Sequence, residues 1–175
     1  MSEPEDIIAA VLGAAGGTVI GRVRLQKAVY LMDRLGFSSG FFFEYYHYGP
    51  YSRDIDDAVS DAKAFELVEE EIHYRQTDGA TYSVFRLKTD PKSDTYNSLG
   101  REEASKLLHT FANTNITVLE LAATIDWLWH SEKIEDWRRE VAKRKGAKVN
   151  GGRLEKAVQL LEGLSLRPPE TGATF

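Results

Sequence analysis

His47, Ser52 and Asp54, the residue types of a hydrolytic triad, fall within eight residues. A hydrolytic triad needs its nucleophile, base and orienting acid to converge from separate elements, and one compressed into a single turn fails that geometry. No Gly-x-Ser-x-Gly elbow surrounds Ser52. The four histidines, His47, His73, His109 and His130, include no i, i+4 ligand pair and no His-Glu-x-x-His. Cysteine is absent, which excludes disulfides, thiolate catalysis and Cys-ligated zinc. The glycines between Gly13 and Gly17 follow a helical pattern and precede no phosphate-loop lysine. The expectation is therefore a chain with no catalytic residue, no metal and no cofactor.

Two other groups of side chains have the chemistry of recognition. Arg24, Gln26, Lys27 and Tyr30 cluster on one segment. The first three lie off the apolar stripe there, with donors suited to loop backbone or to the carboxylates of Asp54 and Asp57. Downstream runs Tyr46-His47-Tyr48-Gly49-Pro50-Tyr51-Ser52, within a stretch holding eight of the chain's 19 aromatics in 15 residues. Tyrosine packs its ring while still hydrogen-bonding, which suits either an interface or the core beneath the following helix. The second group is basic: Arg138, Arg139, Lys143, Arg144, Lys145 and Lys148. These cations spread around the helix surface, which favours an acidic protein partner over a groove-reading row.

The elements that must position these groups follow from periodicity. Ser2 with Glu5 has capping-box spacing before the stripe Ile7, Ile8, Val11 and Leu12. Leu25, Ala28, Val29, Met32 and Leu35 stripe a second helix. A third, from about Ser52 as N-cap to Phe65, is expected to bury Ile55, Ala58, Val59, Ala62 and Phe65. Residues 69–76 and 81–88 read as a hairpin turning at Asp78-Gly79. The remainder reads as helical: a stripe from Ala104 to Phe111, a Thr117–Glu120 capping box opening another, a basic helix from Ile134 to Lys148, and a last one from Leu154 to Leu161.

The fold class expected is mainly α with a small β-hairpin: a winged-helix-like half over 1–92, a helical half over 93–167, and a flexible tail over 168–175. At 175 residues and 19.7 kDa this is a single domain. Net charge is −5, but residues 133–156 carry +5, so the remainder carries −10. Between Pro50 and Glu71 two cations face eight carboxylates. DNA affinity rests on neutralising phosphates, so a third helix this acidic is repelled from the groove. No apolar run nears the ~20 residues of a membrane span, and the acidic N-terminus is unlike a secretory or mitochondrial leader. The expected compartment is the cytoplasm.

Arg24-Leu25-Gln26-Lys27-Ala28-Val29-Tyr30-Leu31, followed by Tyr46-His47-Tyr48-Gly49-Pro50-Tyr51-Ser52, resembles the Panacea (SocA-like) antitoxin domain. The His-Tyr-Gly-Pro-Tyr-Ser form is similar to that domain's YwgA-like relatives, as are Leu119 to Ile125 and the closing helix. The resemblance implies a mostly helical domain with a small sheet, no enzymatic activity, and neutralisation of a cognate toxin by direct contact, in phage and mobile-element settings. Two departures stand out: a tyrosine after Gly-Pro where many antitoxins carry an apolar residue, and the extra basic helix. The reading is a non-enzymatic protein-binding domain. The alternative is a winged-helix nucleic-acid-binding regulator using residues 138–148.

Overall fold

The computed structural model describes residues 2–91 and 96–171. Among them are seven α-helices and five short strands, so the chain is mainly α with small antiparallel sheets. It divides into two compact units. The first comprises residues 1–44 and 51–113, the second 45–50 and 114–175. The sequence reading placed its boundary after residue 92, next to residues 92–95, which lie outside the description.

In the first unit, α1 (Pro4–Ala14) starts on a proline with Glu5 and Asp6 in its first turn, where the helix dipole favours acids. Its N-cap is Glu3, one residue after the Ser2 that the capping-box spacing marked, and the Glu3 side chain makes no cap bond. Strand β1 (Thr18–Ile20) follows, then α2 (Arg22–Arg34). Helix α3 (Arg53–Ala64) buries Ile55, Ala58, Val59 and Ala62 as its stripe requires, but Phe65, the fifth residue of the stripe, falls at the C-cap where the helix ends and is 65% exposed. Ser52 sits at its N-cap position but does not cap: the Ser52 hydroxyl is buried without a partner. Strands β4 (Val68–Tyr74) and β5 (Thr81–Leu87) form the expected hairpin, with Gly79 at a φ of 71°. Thr18 to Ile20 pair antiparallel with Val84 to Arg86, giving a three-stranded sheet ordered β1-β5-β4. Helix α4 (Arg101–Ala112) completes this unit, packing on α1 and α2.

Two further strands, β2 (Glu44–Tyr46) and β3 (Gly49–Tyr51), form a small hairpin whose turn belongs to the second unit. There α5 (Ile116–His130) packs against α6 (Trp137–Lys145) and α7 (Arg153–Gly163). The cap of α5 is Asn115, whose Oδ1 accepts from the Thr117 and Val118 amides at 2.9 and 3.3 Å. Thr117 is thus inside the helix and forms no capping box with Glu120. The basic helix is shorter than expected: Asp136 caps it, and Gly146–Val149 winds into a 3-10 turn.

The segment expected as a flexible tail, 168–175, begins with residues that bond to α6. The Trp137 indole donates to the Pro169 carbonyl at 2.9 Å, and Arg138 grips Glu170 through Nε and Nη2 at 2.6 and 2.7 Å. Residues 172–175 lie outside the description. No helix among the described residues is long and apolar enough to cross a membrane.

Candidate functional site

The motif helix α2 is buried along most of its circumference, from Leu25 through Met32. Gln26 and Lys27, which lie off the apolar stripe, are nonetheless buried, at 4% and 2% exposed. Gln26 bonds the loop backbone, one of the two partners expected for it: its Nε2 donates to the Ser52 carbonyl and its Oε1 accepts from the Ser52 amide, both at 2.8 Å. The carboxylate it approaches is that of Asp56, at 3.5 Å, in place of Asp54 or Asp57. The Tyr51 hydroxyl donates to the same Asp56 at 2.5 Å. Tyr30 is buried, its ring edge-on to Phe43 at 5.3 Å. Arg24 is half-buried; it donates through Nη1 to the Phe111 carbonyl and through Nε to the Ile20 carbonyl at 3.3 Å. Desolvation lowers its pKa.

The other half of the loop motif, with Tyr45, belongs to the second unit, where it meets the basic segment. Arg144 lies over the Tyr45 ring at 4.6 Å, and the Lys148 ammonium over the Tyr48 ring at 4.9 Å. The His47 carbonyl accepts from Lys145 Nζ at 3.4 Å, and the His47 ring stands 4.4 Å from that of Tyr46. Gly49 has a φ of 92°, and a Cβ there would stand 2.5 Å from Thr124 Oγ1, so both backbone and space demand glycine.

Sequence reasoning missed the residue that organises this assembly. Glu120 accepts from Lys145 at 2.8 Å through Oε1 and from Lys148 at 2.9 and 3.0 Å through both oxygens. Its signal was a lone carboxylate inside the apolar run from Val118 to Ile125. Lys145 is buried, and that burial lowers its pKa even with Glu120 alongside.

The basic segment is therefore not a spread of available cations. Arg144 binds Glu132 and Glu140, and its pKa is raised chiefly by the Glu132 bonds. Arg138 binds Glu170 and Glu155, and the Glu170 bonds raise its pKa most. Of the six cations between residues 138 and 148, Arg139 and Lys143 are the two that are exposed and have no ion pair among the described residues.

A different feature of the first unit is open. A groove of about 1040 Å³ runs between α1 and α3. Glu3 and Asp6 line it from α1, and Asp54, Asp57 and Asp61 from α3, above apolar Ile7, Phe37 and Ala58. The spacing of 54, 57 and 61 puts all three carboxylates on one helical face. No lysine or arginine lines it. The Asp54 carboxylate also accepts from the Phe42 amide at 2.8 Å, fixing the loop beside it. Among the described residues no three His, Cys, Asp or Glu side chains are grouped to hold a metal ion. No family model matches the chain, and no curated protein matches it.

Proposed function

We propose that the chain is a non-enzymatic protein-binding domain whose partner presents a cationic segment to the α1–α3 groove. The observation that carries this reading is the groove itself: five carboxylates above an apolar floor, with no basic side chain among its lining residues. A segment that seats apolar side chains and offsets those charges is the complementary occupant.

The order α1-β1-α2-α3-β4-β5, with strands ordered β1-β5-β4, supports a winged-helix reading in which α3 takes the recognition position. The acids on its outer face repel phosphate, so on this reading the scaffold serves a protein partner. The resemblance to Panacea antitoxin domains makes a cognate toxin the natural form of that partner.

The test compares native-lysate captures by the wild-type chain and by Asp57→Lys/Asp61→Lys, with circular dichroism verifying that both are folded. A captured protein that is basic and is lost on charge reversal supports the reading. Capture that survives reversal refutes it. Nanomolar, sequence-dependent DNA binding that depends on Arg139 and Lys143 would replace it with the nucleic-acid alternative.

A further inference from the structure

Strand β4 is an outer strand of its sheet, whose order is β1-β5-β4, and among the described residues no strand pairs with its far edge. Leu67 and Arg75, one residue beyond either end of β4, both bond across the hairpin. The Leu67 carbonyl accepts from the Lys88 amide and the Arg75 amide donates to the Ala80 carbonyl, each at 2.8 Å. Hydrogen-bonded positions alternate along an antiparallel pair, so Glu69, Glu71 and His73 bond to β5. Val68, Glu70, Ile72 and Tyr74 turn their amides and carbonyls to the far edge. Such an edge is a template for another strand. Ile72 and Tyr74 are 56% and 70% exposed, an apolar pair in the half of β4 nearest the turn.

We propose that β4 pairs antiparallel with β4 of a second copy of this chain, centred on Ile72, joining the two sheets into one. Charge selects both the occupant and the register. The acids Glu69, Glu70 and Glu71 fill one half of the strand, and His73 and Arg75 follow Ile72 in the other. A two-fold dimer lays the first half of one copy against the second half of the other. With Ile72 opposite its own copy, Glu71 faces His73, Glu69 faces Arg75 and Glu70 faces Tyr74 across the axis. Opposite charges at facing positions stabilise a strand pair and like charges oppose it. Centring on Glu70 or Glu71 sets glutamate against glutamate. Centring on His73 sets histidine against histidine and carries Glu69 out to Thr77 in the turn. The charged groups are accessible for this exchange. Glu71 binds His73 and Arg86 of its own chain at 2.9 and 3.0 Å, and Arg75 binds Asp78 at 3.0 Å, all between exposed side chains. Exposed pairs of this kind change partners at little cost. Backbone bonds from Glu70, Ile72 and Tyr74 supply the affinity, as in other additions of a strand to a sheet edge.

The experiment is analytical ultracentrifugation of the full chain from about 1 μM to about 1 mM, where a dimer with a Kd of about 10–100 μM is expected for an interface this small. Ile72→Pro removes an amide that β5 does not use, so the hairpin should persist while the dimer is lost. Glu69→Arg and Arg75→Glu each set like charges opposite one another and should each weaken self-association about tenfold. Mixing these two single variants restores opposite charges at both positions, and the mixed dimer should return to within about threefold of the wild-type Kd. If circular dichroism shows Ile72→Pro to be unfolded, the mixture still decides. A chain that stays monomeric to about 1 mM overturns the proposal and leaves the edge to a foreign strand. A dimer that survives Ile72→Pro overturns it too, by placing the contact elsewhere. So does a mixture that associates no more tightly than either single variant alone.

Discussion

Replacing Glu120 with alanine should be among the most damaging single changes in the second unit. Glu120 and Lys145 are 6% and 3% exposed at their side chains, and their charged atoms meet at 2.8 Å. Lys148 also binds Glu120 but is 40% exposed, so it can return to water at little cost. The loss therefore falls on Lys145, whose ammonium would stay buried without its carboxylate. Breaking a buried pair in this way costs about 3–5 kcal/mol. The pH dependence has a definite sign. The folded pKa of Lys145 lies below its ordinary value of 10.5, so the folded state releases its proton first. Stability of Glu120→Ala should then rise as pH climbs through the folded pKa toward 10.5. Glu120→Leu combined with Lys145→Met removes both charges and should recover to within about 2 kcal/mol of wild type. Urea titration followed by tryptophan fluorescence is the assay, because Trp127, Trp129 and Trp137 all belong to the second unit. A loss below about 1 kcal/mol for the single variant would refute the reasoning. A double variant no more stable than the single one would refute it equally.

Three further outcomes are expected. Gln26→Ala leaves the Ser52 amide and carbonyl without their partner and should cost about 2–5 kcal/mol in urea melts, well above a surface substitution. Gly49→Ala combines a left-handed backbone with a close approach to Thr124 and should lower stability by at least about 2 kcal/mol, read as a fall in melting temperature. At Glu70 burial raises the pKa, but bonds from the Ser83 hydroxyl, Lys63 and Arg22 outweigh it and the net shift is downward. Its contribution is thus present above the ordinary carboxylate pKa and lost as pH falls through the folded value. The stability gap between wild type and Glu70→Gln should be widest near pH 7 and close in acid, in denaturant melts run at several pH values.

Side-chain periodicity foretold α2, α3 and the β4–β5 hairpin because each has a one-sided apolar pattern or a strong turn dipeptide. It missed β1 because Thr18 to Ile20 is too short to show alternation. Burial of Gln26 and Lys27 was equally invisible: an apolar stripe marks the face that must be covered, and cannot tell that the opposite face of α2 is covered too. The caps went wrong for a related reason, since Thr117 fits the spacing rule but Asn115, two residues earlier, holds the bonds. The basic segment was misread because its partners are remote. Glu120 precedes Lys145 by 25 residues, and Glu170 follows Arg138 by 32, distances over which sequence patterning has no reach. The residues of the loop motif were identified, but not that the motif divides between units after Pro50.

That division also governs the timing of synthesis. The ribosome delivers Tyr45 to Pro50 before any helix of the unit they belong to, and Lys145 emerges 98 residues after His47. At about 5–20 residues per second, His47 waits roughly 5–20 s for that partner. During the wait the aromatic turn is an unsatisfied loop on a nascent first unit, a natural point for chaperone capture or aggregation. A fragment ending at Asn113 would hold the whole first unit but carry the turn without its partners, and one starting at Thr114 would lack the turn altogether, so neither cut separates the units cleanly. Dissecting this protein therefore calls for circular permutation or point substitution in place of truncation.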